Sequence, residues 1–389
     1  MRTLTLSLAT ASLLFSGCLL LAEEGGEAPP TVGTPTTEAS TLPLLTDPFT
    51  LGTTLYASAD LSSLTPAVRG LLQQAIQAGL GGFTYYVDWA DLEPQPGQYT
   101  LDELTERLDT LQALGLRPFV NLTVGDSETY NLPDGLAAPE GGLADGLSLD
   151  DDEVVERFGR LLDRLVPILL ERGVFALGVG NEVDGYLDDN RRERNAYTRF
   201  VEAARDRVHA QAPELAVAVS LTGGAVRGRT PTYRALRPVA DIIPFNYAPI
   251  PPDFIVLDLD DVQEDFQEVI EAYGEGPIFI QELTCPSPAS MGASEAWQQG
   301  CFEILYAELA VTPQVRYASV FTLQDFEEAT CDLVRDALFG DELDELPREI
   351  AQRLADYLCF LGIVGPDGTP KPAWDLFVDA AGGLPGDTR

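Results

Sequence analysis

From Phe49 onward, short runs of unbroken apolar character alternate with longer stretches in which apolar positions recur every three or four residues. Eight short runs stand out as strands: 49–57, 82–88, 117–124, 174–181, 215–221, 240–247, 277–283 and 317–323. Each is rich in β-branched or aromatic residues and continuous in apolarity, as parallel strands covered on both faces must be. Between them, helical periods run over 65–79, 100–114, 151–172, 190–212, 231–238, 260–273 and 294–310. Eight β-then-α units without a break predict a closed (β/α)8 TIM barrel rather than an open sheet.

Local signals agree with these boundaries. Thr65 before Pro66 has the form of an N-cap followed by proline in the first turn, and Gly79, Gly115 and Gly173 fall where helices should stop. Two long connections interrupt the pattern, 125–150 after the third strand and 325–371 after the eighth. The second holds Cys331, Cys359, the acidic run "GDELDELPRE" and room for a short extra helix. Both should rise from the C-terminal face of the barrel, where loop length shapes a cleft.

Composition narrows the chemistry. Of 389 residues 62 are acidic and 24 basic, a formal charge of −38, which argues against nucleic acid as a partner because phosphates need Lys and Arg clusters. The only histidine, His209, sits among arginines on a predicted solvated helix face. Ser-His-Asp and Cys-His mechanisms and histidine-rich metal sites therefore drop out, since they need imidazole. No calcium-loop pattern and no CxxC spacing occurs, so no cofactor or metal is expected. Chemistry must run on carboxylates.

The N-terminus, "MRTLTLSLATASLLFSGCLLLAEEGGEAPP", has a short positive start and an apolar stretch, then Ser16 and Gly17 before Cys18. It resembles the lipobox of bacterial lipoproteins, with Phe15 in place of the usual leucine. That resemblance implies a signal peptide over 1–17, lipidation of Cys18, and export to a bacterial envelope or surface membrane. Residues 18–48 then form a tether rich in Pro, Thr and Gly, leaving 49–389 as a barrel expected to be monomeric. Cys285, Cys301, Cys331 and Cys359 are an even set in an exported chain, and three disulfide pairings are open.

Candidate catalytic groups lie at predicted strand ends. The stretch "GVGNEVDGYL" ends the fourth strand in Asn181 and Glu182, and Glu282 ends the seventh. Two carboxyls delivered to one rim suit retaining glycoside hydrolysis, in which one acid protonates the leaving oxygen and the other attacks the anomeric carbon from about 5–5.5 Å away. Glu182 would be the acid and then the base, and Glu282 the nucleophile. Glu93, in a proline-flanked turn, reads as a capping or salt-bridge group, and Asp325, Glu327 and Glu328 read as a solvated acidic loop.

"GNEVD" in the fourth strand, "FIQELTCPS" in the seventh, "DWADLEPQPGQY" after the second and "CFLGIVGPDGTPKPAWDLF" near the C-terminus together resemble the motifs of clan A glycoside hydrolases. Those barrel enzymes include endo-β-galactanases, cellulases and β-mannanases, and the likeness runs over roughly residues 49 to 380. It implies that Asn181 hydrogen-bonds the sugar 2-hydroxyl, that Tyr247 touches the nucleophile, and that Trp89 stacks on a sugar ring. Phe321 stands where many members carry a tryptophan flooring the site. A histidine common near the active centre is absent, and Asn246 or Asn121 would take its work. The implied activity is cleavage of a neutral β-linked poly- or oligosaccharide through a covalent intermediate. The alternatives are a noncatalytic surface glycan-binding lipoprotein on the same barrel, or a lyase or transglycosylase.

Overall fold

The computed structural model describes residues 48–384, except 56–60, 62–63, 128, 139–141 and 340–346. Cys18, the leader and the tether fall outside the described residues. The eight expected strands are present and parallel: β1 Thr50–Thr53, β2 Gly82–Asp88, β3 Arg117–Thr123, β4 Ala176–Gly178, β5 in two pieces, Ala216–Ala218 and Leu221–Thr222, β6 Phe245–Tyr247, β7 Ile278–Leu283 and β8 Val315–Val320. β1 pairs with both β2 and β8. The first piece of β5 pairs with β4 and the second with β6. Across the break, Val219 N donates to Ile242 O and Ser220 N to Gly180 O, at 3.3 and 3.1 Å, so the ring of strands closes. The fold is a (β/α)8 TIM barrel.

Helices fill the connections as the periodicity requires. Thr65 accepts Val68 N as the N-cap of helix Pro66–Ala78, with Pro66 in the first turn, and Gly79 ends it at φ 132°. Helices Asp102–Ala113, Asp152–Glu171, Arg191–His209, Leu259–Tyr273 and Glu295–Val311 match their predicted spans within two or three residues. The connection between β5 and β6 holds two short helices, Gly223–Gly228 and Pro231–Leu236, where one was expected. The long insertion after β8 is more ordered than its acidic sequence suggested, with two helices, Glu328–Phe339 and Arg348–Cys359.

Disulfides Cys285–Cys301 and Cys331–Cys359 settle the open pairing. The first ties the loop after β7 to the following helix, and the second clasps the two inserted helices. Val334, Leu354 and Leu358 of that pair pack with Phe254, Met291 and Phe321 into a small separate core that walls the β8 side of the rim.

The interior of the barrel changes character along its axis. At the N-terminal end Phe119, Phe175, Phe279 and Tyr317 fill it with aromatic rings. One pleat up, at alternate strand positions, stand polar Asn121, Gln281 and Ser319, all fully buried. The apolar floor carries the stability and the polar layer above it carries the site. Phe119→Ala should therefore cost about 3–5 kcal/mol of unfolding free energy in a urea titration. A loss under about 1 kcal/mol would contradict a close-packed floor.

Candidate active site

Successive residues of a strand normally face opposite sides, yet two pairs of neighbours here enter one cluster. After β4 the backbone leaves the extended region: Gly180 has φ 136° and Glu182 φ 45°, a left-handed conformation that costs a non-glycine residue roughly 1–2 kcal/mol. A Cβ on Gly180 would collide with the hydroxyl of Tyr197. The strained turn is held by Asn181 N donating to Gly125 O and Ser127 N to Asn181 O, both 2.9 Å. It brings both Asn181 and Glu182 inward. On β7 the register with β6 slips between Ile280 and Glu282, an irregularity that lets Gln281 and Glu282 both reach the same side.

The resulting cluster is continuous. Asn246 Nδ2, from β6, donates to Glu182 Oε1 at 3.0 Å and to Asn181 Oδ1 at 3.2 Å. Tyr86, from β2, donates to Glu282 Oε1 at 2.5 Å. Gln281 Nε2 donates to Tyr86 Oη at 3.1 Å and to Asn181 Oδ1 at 2.7 Å. Asn121 Nδ2 donates to Gln281 Oε1 at 2.9 Å, and the only room for its side chain is over Gly178, where a Cβ would lie 2.6 Å from Asn121 Oδ1. Asn181 Nδ2 turns to Asp126 Oδ1 at 3.0 Å. Phe321 meets Tyr86 edge-on, ring centroids 6.4 Å apart.

Electrostatics separate the two glutamates. Burial, the charge of Glu282 and then that of Asp184 hold Glu182 well above the usual carboxylate range, and its Oε2 is buried without a partner. Burial also raises Glu282, but the Tyr86 hydroxyl opposes this by favouring the charged form, with Gln281 and Asn246 adding to it. The Tyr86 hydroxyl is itself pushed up by burial and by Glu282, so it stays protonated and keeps a hydrogen to donate. Two such acids cannot both ionise, and the first proton belongs to Glu182. The arrangement offers one carboxyl held protonated, with an unpartnered oxygen, and a second, pushed up to about 8 by burial, whose anion the neutral donors favour. No group of three or more His, Cys, Asp or Glu among the described residues is arranged to hold a metal ion.

Several expected site residues are elsewhere. Tyr247 neighbours Asn246 on β6 and so faces the opposite way, its hydroxyl donating to Asp265 Oδ2 at 3.0 Å; the tyrosine on Glu282 is Tyr86. Trp89 is not a sugar platform: it is fully buried between Phe158 and Phe200, its Nε1 donating to Glu93 Oε2 at 3.1 Å. The helical turn Trp89–Leu92 folds it under the rim instead of over it. Glu93 pairs with buried Arg157 at 3.1 Å. Asp325, read as solvated, is buried in an ion pair with Lys371 at 2.6 Å, whereas Glu327 and Glu328 are exposed. His209 is half-buried and paired with Asp241 Oδ2 at 3.0 Å. Tyr86, Gln281, Asp126 and Ser220 were missed from the sequence. Counting alternate positions back from Asp88 along β2 points to Tyr86; nothing comparable marks the others.

No protein-family model and no curated protein matches the chain. Solved structures do. A GH5_18 protein from Bifidobacterium longum subsp. longum, in complex with Manβ1-4GlcNAc, superposes with a TM-score of 0.63 at 14% identity, covering 87% of this chain and 79% of that one. A GH5_18 protein from Streptomyces cattleya, also with Manβ1-4GlcNAc, gives 0.62 at 15% over 86% and 80%. An exo-β-1,4-mannosidase from an Opitutaceae bacterium gives 0.59 at 16% over 86% and 59%. At these identities the likeness is one of fold.

Buried acids make stability depend on pH. Asp184, inside the rim and bonded to Thr222 N at 2.9 Å and Thr222 Oγ1 at 2.7 Å, is raised by burial from 3.8 to about 6. The native state keeps this proton in a range where the unfolded chain has lost it, so the stability it contributes is full below the unfolded value and lost as pH rises through about 6. Stability in urea should be higher at pH 5 than at pH 7.5, and Asp184→Asn should narrow the gap by about 1 kcal/mol. An unchanged gap would contradict the burial of this proton.

Proposed function

We propose that the chain is a retaining glycoside hydrolase acting on neutral β-linked saccharides. Glu182 is the acid and base, and Glu282 the nucleophile that forms a glycosyl-enzyme ester. The observation that carries this reading is the unequal treatment of two buried carboxyls in one cluster. Glu282 accepts from Tyr86 at 2.5 Å, which favours its anion, while Glu182 keeps a proton and an unpartnered oxygen. An acid with a proton to give beside an anion free to attack is the pairing that a double-displacement reaction at an anomeric centre needs.

In the first step Glu282 attacks the anomeric carbon while Glu182 delivers its proton to the departing glycosidic oxygen. In the second Glu182, now ionised, takes a proton from water, which attacks the same carbon and frees Glu282. Asn181 contributes its remaining Nδ2 proton to a sugar hydroxyl oxygen, which orients the ring over the two acids. Phe321 and the inserted helices wall one side of the bound ring.

The similar structures that hold Manβ1-4GlcNAc, and the exo-β-1,4-mannosidase among them, support β-mannosides as the first substrates to try. Two disulfides suit an oxidising compartment. They support export of the chain; a lipid anchor on Cys18 is proposed on the leader sequence alone.

Glu282→Ala should lose at least about a thousandfold in kcat on an aryl β-glycoside, and azide should restore turnover with an azide product of inverted configuration. A glycan-binding protein without activity would show no turnover in the parent chain; wild-type rates in the variant would refute the nucleophile. Because burial raises both acids, the low-pH limb of kcat/KM should fall above the ordinary carboxylate range. Full activity at pH 4, below the usual glutamate value of about 4.3, would contradict it.

A further inference from the structure

Gln281 precedes the proposed nucleophile, is fully buried, and uses every hydrogen bond an amide can make. Its nitrogen donates to Tyr86 Oη at 3.1 Å and to Asn181 Oδ1 at 2.7 Å. Its oxygen accepts from Asn121 Nδ2 at 2.9 Å and from the Ser220 hydroxyl. These partners come from β2, the turn after β4, β3 and the break in β5, so one side chain ties four other walls of the barrel directly beneath the two acids.

Each bond constrains a proton. A phenol has one hydrogen, and the Tyr86 oxygen already receives one from Gln281, so its own hydrogen is left for Glu282 Oε1 at 2.5 Å. Asn181 Oδ1 is taken by Gln281 and by Asn246 at 3.2 Å, so its nitrogen must turn the other way. There it gives one hydrogen to Asp126 at 3.0 Å and keeps the second.

We infer that Gln281 is a positioning residue that fixes the direction of hydrogen bonding around the site, obliging Tyr86 to donate to Glu282 and turning the Asn181 amide nitrogen toward the ligand. The inference rests on the glycosidase reading for its kinetic consequence but not for its structural one. The titratable groups that face Glu282 are Tyr86 from β2, Asp126 from the loop after β3 and Glu182 from the turn after β4. Two of the three are acids that oppose its charge, so the neutral donors Tyr86, Gln281 and Asn246 are the groups that favour its charged form against burial. A glutamate at 281 has the same shape and inverts the logic. Its carboxylate only accepts, so it would draw the Tyr86 proton away from Glu282 and turn Asn181 over.

The test is a carboxyl carbon NMR titration of the ligand-free protein labelled at the glutamate side chains, with the Glu282 signal assigned by its loss in Glu282→Gln. Gln281→Met and Tyr86→Phe should each move the Glu282 midpoint upward by about one pH unit. In the Tyr86→Phe background, Gln281→Met should add less than it does alone, because the part that acts through the hydroxyl is already gone. On an aryl β-glycoside, Gln281→Met should lower kcat by roughly 10- to 100-fold with KM changed far less, and shift the acid limb in step with the NMR midpoint. Should the methionine variant not fold, Gln281→Glu decides the same question and should give the larger upward shift. A folded variant with an unmoved Glu282 midpoint, or an equal shift in the presence and absence of the tyrosine hydroxyl, overturns the inference. Absence of turnover in the parent protein would instead overturn the glycosidase reading, and the titration would still decide the role of Gln281.

Discussion

Two carboxyl groups buried in one hydrogen-bonded cluster cannot both carry charge, and the rest of this molecule is arranged around that constraint. Removing water from Glu182 and Glu282 raises the cost of each charge and sharpens the repulsion between them. One proton is therefore shared by two acids whose surroundings differ. Tyr86 on Glu282 and an open oxygen on Glu182 decide which acid keeps it. Removing the Tyr86 hydroxyl would lessen the difference between the two sites.

The barrel makes such a cluster affordable. Its N-terminal half is plugged with aromatic rings, so the polar layer above rests on a dry, close-packed floor. The donors closest to the acids are engaged: Asn121 and Ser220 on Gln281, Gln281 on Tyr86 and Asn181, Asn246 on Glu182. The unpartnered atoms in and above that layer include Glu182 Oε2, Asn121 Oδ1, Asn246 Oδ1 and the Ser319 hydroxyl. The strained turn at Gly180 and Glu182 and the register slip on β7 are the local departures from regular geometry that let four adjacent side chains converge.

Much of the architecture was legible in the chain because parallel barrel strands are uniformly apolar and their helices strictly periodic. Glu182 and Glu282 were legible for a related reason, since a charged residue ending such a run has nowhere to go but the rim. What failed were inferences that carried a residue type to the site without asking which way it points. Tyr247 follows inward Asn246 on a regular strand and must face out; Trp89 sits one residue beyond β2, where the chain turns under the rim. Gln281 was hidden because strict alternation would send it away from Glu282, and only the irregular register brings both together. Asp325 looked solvated because its partner Lys371 lies 46 positions further along the chain, beyond both inserted helices, a pairing no local pattern reveals.

The central claim is that Glu282 becomes covalently bonded to the sugar. A β-glycoside carrying fluorine at C2 and an activated leaving group slows departure of the glycosyl-enzyme more than its formation, so the intermediate should accumulate. Intact-mass measurement followed by peptide mapping should find one fluoroglycosyl unit, attached to the peptide containing Glu282. A label on Glu182, or steady turnover of the activated glycoside with no covalent mass at any time, would contradict the account.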